Sequence, residues 1–187
     1  MTMTGGTDSP DDAGPIGGPN GGLAGRLPNM LGLLLAKNRP IIMGILNVTP
    51  DSFSDGGQFL DPAVAVQHAK RLVDEGADII DIGAESSRPY GGAKPVTLEE
   101  ELARLQHVLP AVVHLGVPVS IDTLKPEIAY WALGQGARIV NDVWGLQRDP
   151  NMARVVGQHG VPVVILHNRN KAEPTPTTES DNNRFLA

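Results

Sequence analysis

Four segments of this 187-residue chain repeat one order of residues, and that repeat restricts the folds open to it. Each copy has a glycine, one or two further residues, an apolar run rich in isoleucine and valine, and then a polar residue. The copies read EGADIIDIG, LGVPVSIDT, QGARIVNDV and HGVPVVILH, with glycines at Gly76, Gly116, Gly136 and Gly160. Because glycine adopts the left-handed backbone that ends many helices, each copy predicts a junction from helix to strand.

Helix starts are indicated between these junctions. Asp61–Pro62 and Asp149–Pro150 each place an N-cap acceptor before a proline at the first helical position, where the missing N–H is not needed. Thr97 and Glu100 have the spacing of a capping box. The helices are therefore predicted at residues 62–75, 97–114, 125–134 and 150–159.

The apolar runs between the helices are nearly continuous, as expected for strands buried on both faces of a parallel sheet. Alternation of such strands with helices indicates an α/β protein. The five strands are predicted at residues 41–47, 79–83, 118–122, 138–142 and 162–167.

The N-terminal part has a different composition. Residues 1–22 contain seven glycines and three prolines, and such a segment buries too little apolar surface to offset the entropy of ordering. Residues 23–37 are apolar and are predicted to form a short helix at most. The folded part is expected to start near Pro40, so residues 1–39 are predicted to be a flexible extension.

Charge and composition exclude several classes of partner. The formal charge of −6 argues against a general nucleic-acid or anionic-membrane surface, although a basic pocket for a small anion stays open. The chain has no cysteine, so it has neither a disulfide framework nor a thiolate metal site, and we expect it to be cytoplasmic. No apolar segment reaches the roughly 20 residues of a membrane span, and the start of the chain has no secretory signal pattern.

Every predicted strand ends in a group that forms hydrogen bonds. The carboxyl ends of parallel strands meet at one rim of the sheet, where ligands bind in this class of protein. Carboxylate, amide and imidazole groups donate and accept in a plane, which suits recognition of the edge of a flat heterocycle. The residues at the predicted strand ends are Asn47, those of 81–85, Asp122, Asn141, Asp142, His167 and Asn168.

Two long loops are predicted beside this rim. They read TPDSFSDGG after the first strand and ESSRPYGGAKP after the second. Loops of that length are often functional. The second contains Arg88 and Lys94, which are natural partners for a phosphate or a carboxylate.

The segment MGILNVTPDSFSDGG, at residues 43–57, resembles the signature of the dihydropteroate synthases, which belong to the pterin-binding family. The resemblance continues in EGADIIDIGAESSRP, VPVSIDT and ARIVNDV, in order, and covers about residues 40–168. It implies a (β/α)₈ TIM barrel that acts as a transferase in tetrahydrofolate biosynthesis. Such an enzyme condenses 7,8-dihydropterin-6-ylmethyl diphosphate with 4-aminobenzoate and releases diphosphate.

The resemblance also implies roles for individual residues. Asn47 matches the asparagine near the magnesium ion and the diphosphate, so Mg²⁺ is the expected cofactor. Asp122 and Asn141 match the pair that binds the pterin edge. Asp122 is also a catalytic candidate, since a carboxylate stabilises the positive charge left on the pterin methylene when diphosphate departs.

The two predicted loops contain further candidates. Arg88 is the second catalytic candidate. Ser87, at a position where threonine is usual, and Arg88 match the Thr-Arg pair that works near the diphosphate and 4-aminobenzoate in this family. Phe53 and Asp55 lie in the first loop, which folds over the site in this family. His167 is the only histidine at the predicted rim and is a candidate for substrate binding.

Length is the main departure from the family. A barrel of this kind has about 250 residues, and the chain from Pro40 to Ala187 is far shorter. Residues 40–187 are therefore predicted to be an incomplete barrel domain with roughly the first five strands and four helices, and the chain a truncated synthase. Activity of this chain alone and a homo-oligomeric state are left open. The alternatives are a non-catalytic pterin-binding paralogue or regulatory partner, and a pterin-dependent corrinoid methyltransferase domain.

Overall fold

Five parallel strands form a single sheet in the part of the chain that the computed structural model describes, residues 27–49, 61–85 and 95–166. The strands are β1 (Met43–Asn47), β2 (Ile79–Gly83), β3 (Val119–Asp122), β4 (Ile139–Asp142) and β5 (Val163–Ile165). They lie side by side in chain order, each hydrogen-bonded to the next. Parallel strands in consecutive order with helices between them are the arrangement of a (β/α)₈ barrel, so the predicted fold class is confirmed.

The described helices are α1 (Leu27–Leu35), α2 (Pro62–Asp74), α3 (Leu98–Leu105), α4 (Leu109–Val112), α5 (Pro126–Gly134) and α6 (Pro150–His159). Of these six described helices, α2, α3, α5 and α6 begin within one residue of the predicted starts. The side chains of Asp61 and Asp149 each accept a hydrogen bond from a backbone N–H in the first turn. Thr97 and Glu100 form both hydrogen bonds of the capping box. The φ angle is positive at each predicted helix stop: Gly76, Gly116, Gly136 and Gly160.

The outer face of the sheet packs against helices and forms the main core. The apolar side chains of β1 to β4 on this face are buried together with side chains from the helices, and each large one contributes roughly 1.5–3 kcal/mol to stability relative to an exposed position. The fully buried members include Leu46, Ile80, Ile82, Ile121 and Val140 from the strands, and Leu105, Leu109 and Ile128 from the helices.

The inner face of the sheet is apolar at the amino ends of the strands. Leu34 of α1 packs with Ile79 and Ile139, which lie on this face, and forms a second, smaller core. Helix α1 therefore covers the amino-terminal part of the inner face. Toward the carboxyl ends of β1, β3 and β4 the same face is polar, with Asn47, Asp122 and Asn141.

Two cations tie the segment after α1 to the sheet. The carboxylate of Asp78, which is 3% exposed, accepts hydrogen bonds from Arg39 and Lys37 and from the backbone N–H of Ile42. The hydrogen bond from Arg39 is the largest cause that lowers the pKa of Asp78 well below its usual range. Residues of α1 and the following segment thus belong to the folded unit, which starts earlier than the predicted Pro40.

The helix predicted over residues 97–114 is two helices, α3 and α4, with a break at residues 106–108. Pro110 has no N–H to donate to the carbonyl of Gln106, so one continuous helix would lose a hydrogen bond at that point. None of the described helices is long and apolar enough to cross a membrane.

Burial of every strand on both faces, as the apolar runs predict, is wrong for the two outermost strands. All residues of β2 are buried, whereas on the inner face Ile45 of β1 is 52% exposed and Val164 of β5 is 42% exposed. The described helices pack mainly on the outer face, so the inner side chains of the outermost strands have fewer neighbours. An apolar run therefore does not distinguish a strand in the middle of the sheet from one at its end.

Candidate functional site

Three of the predicted site residues lie in one row across the sheet. The strand register pairs Asn47 with Gly83, Gly83 with Asp122, and Asp122 with Asn141. Paired residues of parallel strands point to the same face. The side chains of Asn47, Asp122 and Asn141 thus share the inner face at the carboxyl ends of the strands, as predicted.

Gly83 makes room for Asp122 in this row. A Cβ atom at Gly83 would lie 3.3 Å from Oδ2 and 3.4 Å from Cβ of Asp122. The carboxylate of Asp122 therefore lies over the backbone of β2, at the place where a side chain of the neighbouring strand would stand.

Asn141 is held from below by a buried carboxylate. Its Nδ2 atom donates a hydrogen bond of 2.9 Å to Oδ2 of Asp81. Asp81 lies two residues before Gly83, on the same face of β2, and is only 2% exposed. The sequence placed Asp81 at the rim, whereas the structure has it one level deeper, where it supports Asn141.

Negative charges crowd around Asp122. Burial is the largest cause that raises the pKa of Asp122 to about 7, and the charges of Asp81, Glu101, Asp142 and Glu85 add to it. A carboxyl group with a pKa this high exchanges its proton near neutral pH. It also gains more than an ordinary surface aspartate from a ligand that brings N–H donors or positive charge.

Lys125 offsets part of this negative charge. Its Nζ atom contacts Oε2 of Glu101 at 2.6 Å and Oε2 of Glu85 at 2.5 Å. Thr123 donates a 2.7 Å hydrogen bond to the other oxygen of Glu101, which has no exposed surface. Burial acts to lower the pKa of Lys125, but the hydrogen bonds and charges of Glu101 and Glu85 outweigh it and raise that pKa.

Glu85 also supports the second predicted loop. Its Oε1 atom accepts a 3.3 Å hydrogen bond from the backbone N–H of Val96, so one carboxylate contacts both Lys125 and the chain just before α3. The loop between Glu85 and Val96 has its two ends joined in this way. Sequence reasoning considered Glu85 but missed Lys125 and Glu101. The position of Lys125, three residues after a strand-end aspartate, was the available signal, whereas Glu101 in an acidic run resembles a solvated residue.

Asp142 has a different position from the one predicted. Its carboxylate accepts hydrogen bonds of 2.8 Å and 2.9 Å from the backbone N–H groups of Trp144 and Leu146. Leu146 has a φ of 64°, a left-handed conformation that is uncommon outside glycine. The aspartate thus fixes the turn after β4 and is 2% exposed.

The described residues include no group of three His, Cys, Asp or Glu side chains that could hold a metal ion. Asn47 is exposed and offers one amide oxygen at the rim. Mg²⁺ prefers oxygen ligands, keeps several waters and is often held mainly by substrate phosphates. Asn47 fits a magnesium ion of that kind. The other candidates lie outside the described residues: Phe53, Asp55, Ser87, Arg88 and His167.

Comparison with known proteins gives the family. The family model described as pterin binding enzyme matches residues 43–186. The chain belongs to the pterin-binding enzyme family. The site row on β1, β3 and β4 lies within the matched segment, and so does the support from Asp81.

Members of this family with curated names are similar to the chain over part of their length. The dihydropteroate synthase of Bacillus subtilis is 51% identical over 134 residues, which are 71% of this chain and 46% of the relative. That of Clostridium beijerinckii is 49% identical over 136 residues, 72% of this chain and 50% of the relative. The chain spans about half the length of these relatives.

Solved structures of dihydropteroate synthases are also similar to the chain over part of their length. Xanthomonas albilineans dihydropteroate synthase with 4-aminobenzoic acid matches with a TM-score of 0.65 and 45% identity, over 80% of this chain and 54% of that one. The Anaplasma phagocytophilum enzyme with bound 6-hydroxymethylpterin-monophosphate matches with a TM-score of 0.61 and 44% identity, over 70% and 49%. The predicted family and barrel fold are therefore confirmed.

Proposed function

We propose that the chain provides the pterin half of a dihydropteroate synthase site. The enzyme would condense 7,8-dihydropterin-6-ylmethyl diphosphate with 4-aminobenzoate to give 7,8-dihydropteroate and diphosphate. The observation that carries this proposal is the pair Asp122 and Asn141, adjacent in register at the ligand rim with a carboxylate and an amide on one face. Related synthases have 4-aminobenzoic acid or a pterin monophosphate bound, which supports both substrate classes.

The row suits this chemistry. The bond from the pterin methylene to the diphosphate oxygen breaks, the aminobenzoate nitrogen forms the new bond to carbon, and the amine releases a proton. Positive charge develops on the pterin during bond breaking, and the carboxylate of Asp122 stabilises it while it accepts N–H groups of the ring. The crowded negative charge around Asp122 makes the ligand's positive charge more favourable there.

The diphosphate end of the site is also assigned by this proposal. Asn47 would contribute an oxygen to Mg²⁺, which neutralises charge on the leaving diphosphate when it is bound. Ser87 and Arg88 would contact diphosphate and aminobenzoate. Phe53 and Asp55 would cover the site, and His167 would contact substrate.

Binding separates this proposal from its alternatives. Isothermal titration of the 187-residue chain with 6-hydroxymethylpterin monophosphate should show binding that weakens at least about tenfold in Asp122→Ala, the scale of one lost charged hydrogen bond. Asp74→Ala, on the exposed side of α2, is the matched control and should bind as the unaltered chain does. Absence of binding to the unaltered chain contradicts the proposal.

Turnover tests the reaction itself. Diphosphate release from the dihydropterin substrate that requires 4-aminobenzoate identifies a synthase. Pterin binding without such release identifies a non-catalytic pterin-binding chain. Tight binding of methyl-tetrahydrofolate with no diphosphate chemistry identifies the methyltransferase alternative.

A further inference from the structure

When the Asp81 carboxylate is ionised, its hydrogen bond with Asn141 can form in only one sense. An ionised carboxylate accepts hydrogen bonds and donates none, whereas a primary amide has an accepting oxygen and a donating nitrogen at the same distance from its carbon. The 2.9 Å contact to Asp81 therefore requires the nitrogen of Asn141. The amide oxygen is then turned away from Asp81.

Asp81 is too deep to contact a ligand at the rim. It lies in the row of Ser120 and Ile139, one level below the row of Asp122 and Asn141, and is 2% exposed. Asn141 is only partly buried and stands between Asp81 and the opening. Asp81 therefore acts on a ligand indirectly, through its hydrogen bond to Asn141 and through the effect of its charge on Asp122.

Asn141 is also the only described hydrogen-bond partner of the Asp81 side chain. The Oδ1 atom of Asp81 is buried and has no hydrogen-bond partner among the described residues, and the same is true of Oγ of Ser120. A buried carboxylate with so few partners gains strongly from each one that remains. Reversal of the amide would leave Asp81 facing an oxygen, so it is strongly disfavoured.

We propose that Asp81 is a positioning residue that fixes the amide of Asn141 in one orientation and so determines which hydrogen-bonding groups meet the edge of the pterin ring. This inference rests on the proposed function for its ligand. With the amide held, Asn141 offers its oxygen and its second N–H to the rim. A heterocycle edge carries donors and acceptors at fixed positions, so a reversed amide would pair donor with donor and acceptor with acceptor.

A double-mutant cycle tests whether Asp81 acts through Asn141. The affinity for 6-hydroxymethylpterin monophosphate is measured for the unaltered chain, Asp81→Leu, Asn141→Ala and the double variant. Each single substitution should weaken binding about tenfold, and the double variant should bind no more than about twofold more weakly than Asn141→Ala. Additive losses, or unchanged binding in Asp81→Leu, would overturn the inference.

Asp142→Asn is the matched control. Asp142 is equally buried, but the hydrogen bonds described for its carboxylate go to the turn after β4 and not to the Asn141 side chain. Asp142→Asn should lower the melting temperature, and addition of Asn141→Ala to it should still weaken binding about tenfold. If Asp81→Leu does not fold, Asp81→Asn replaces it. That variant keeps the shape but permits both amide orientations, and a binding loss of about threefold is then expected.

A measurement without ligand separates this inference from the proposed function. In a ¹H–¹⁵N spectrum, the Asn141 side-chain amide protons should be slow to exchange and well dispersed, and Asp81→Asn should shift them and speed their exchange. If the unaltered chain binds no pterin, the proposed function fails while this spectrum still tests the orientation. An Asn141 amide signal that is unchanged in Asp81→Asn would overturn the inference directly.

Discussion

Replacement of Lys125 by methionine should be strongly destabilising. Methionine keeps most of the length of the side chain and removes its charge. Lys125 is 23% exposed and pairs with Glu101, which has no exposed surface, and with Glu85, which is 21% exposed. Removal of one partner from a buried ion pair costs about 3–5 kcal/mol because the other charge is left uncompensated.

The expected cost lies at the lower end of that range. Partial exposure of Lys125 lets water approach the site, and Thr123 still donates a hydrogen bond to Glu101 after the substitution. We therefore expect a loss of about 3 kcal/mol in the free energy of unfolding. For a domain of this size that is about 6–12 °C in melting temperature.

Urea unfolding and thermal melting followed by circular dichroism measure this loss. Lys70→Met is the matched control, since Lys70 pairs with Asp74 within α2 and both side chains are more than half exposed. Its expected cost is below about 1 kcal/mol. The double variant Lys125→Met/Glu101→Gln should recover part of the loss because the fully buried carboxylate of Glu101 is then no longer left unpaired. A melting temperature of Lys125→Met equal to that of Lys70→Met would refute this reasoning.

Three further outcomes follow from the structure. Asp78→Asn should lower the melting temperature at neutral pH. Because the pKa of Asp78 is lower in the folded state than in the unfolded chain, its contribution holds above about pH 4 and falls as pH decreases below that, so the difference from the unaltered chain should shrink in acid melts. Gly83→Ala should weaken binding of the pterin monophosphate several-fold by titration, with little change in melting temperature, because its methyl group displaces the Asp122 carboxylate by only a few tenths of an ångström. Pterin affinity should rise between about pH 5.5 and 7.5 as Asp122, with a pKa of about 7, ionises, and titrations of Asp122→Asn should lose this dependence.

The raised pKa of Asp122 also affects the stability of the fold, but in the opposite direction to its effect on pterin affinity. Asp122 has a pKa in the folded state above its value in the unfolded chain, so folding favours the protonated form. Its contribution to stability is therefore greatest below about pH 4 and falls as pH rises toward 7. Asp122→Asn, which cannot ionise, should be more stable than the unaltered chain at pH 7 and similar to it at pH 4. Equal melting temperatures at pH 7 would contradict this.

Much of the fold could be predicted because its signals are local. Each helix cap, glycine stop and apolar run is defined by residues only a few positions apart in the chain. Strand β2, at residues 79–83, was therefore predicted with its observed bounds. The break before α4 was missed because a proline in the first turn of a helix resembles a proline inside a longer one.

The site was only partly predictable for a physical reason. Asp122 and Asn141 could be found from strand ends, since direction and register place such residues together. The residues that support them could not be found in this way. Asp81 acts on Asn141 from another strand, and Lys125 contacts Glu101 across 24 positions of the chain. Such partners are set by packing of separate elements, which a linear pattern does not record.

Strand β2 has a consequence for how this sequence can vary. Alternate residues of β2 point to opposite faces of the sheet. Ile80 and Ile82 pack in the main core, whereas Asp81 and Gly83 lie on the ligand side. A saturation mutagenesis of residues 80–83, scored in parallel for abundance and for ligand capture, should therefore give profiles that alternate with a period of two. Ligand preference could then be re-engineered at positions 81 and 83 while the protein's yield is kept. Insertion of one residue would exchange the two sets and lose both properties at once.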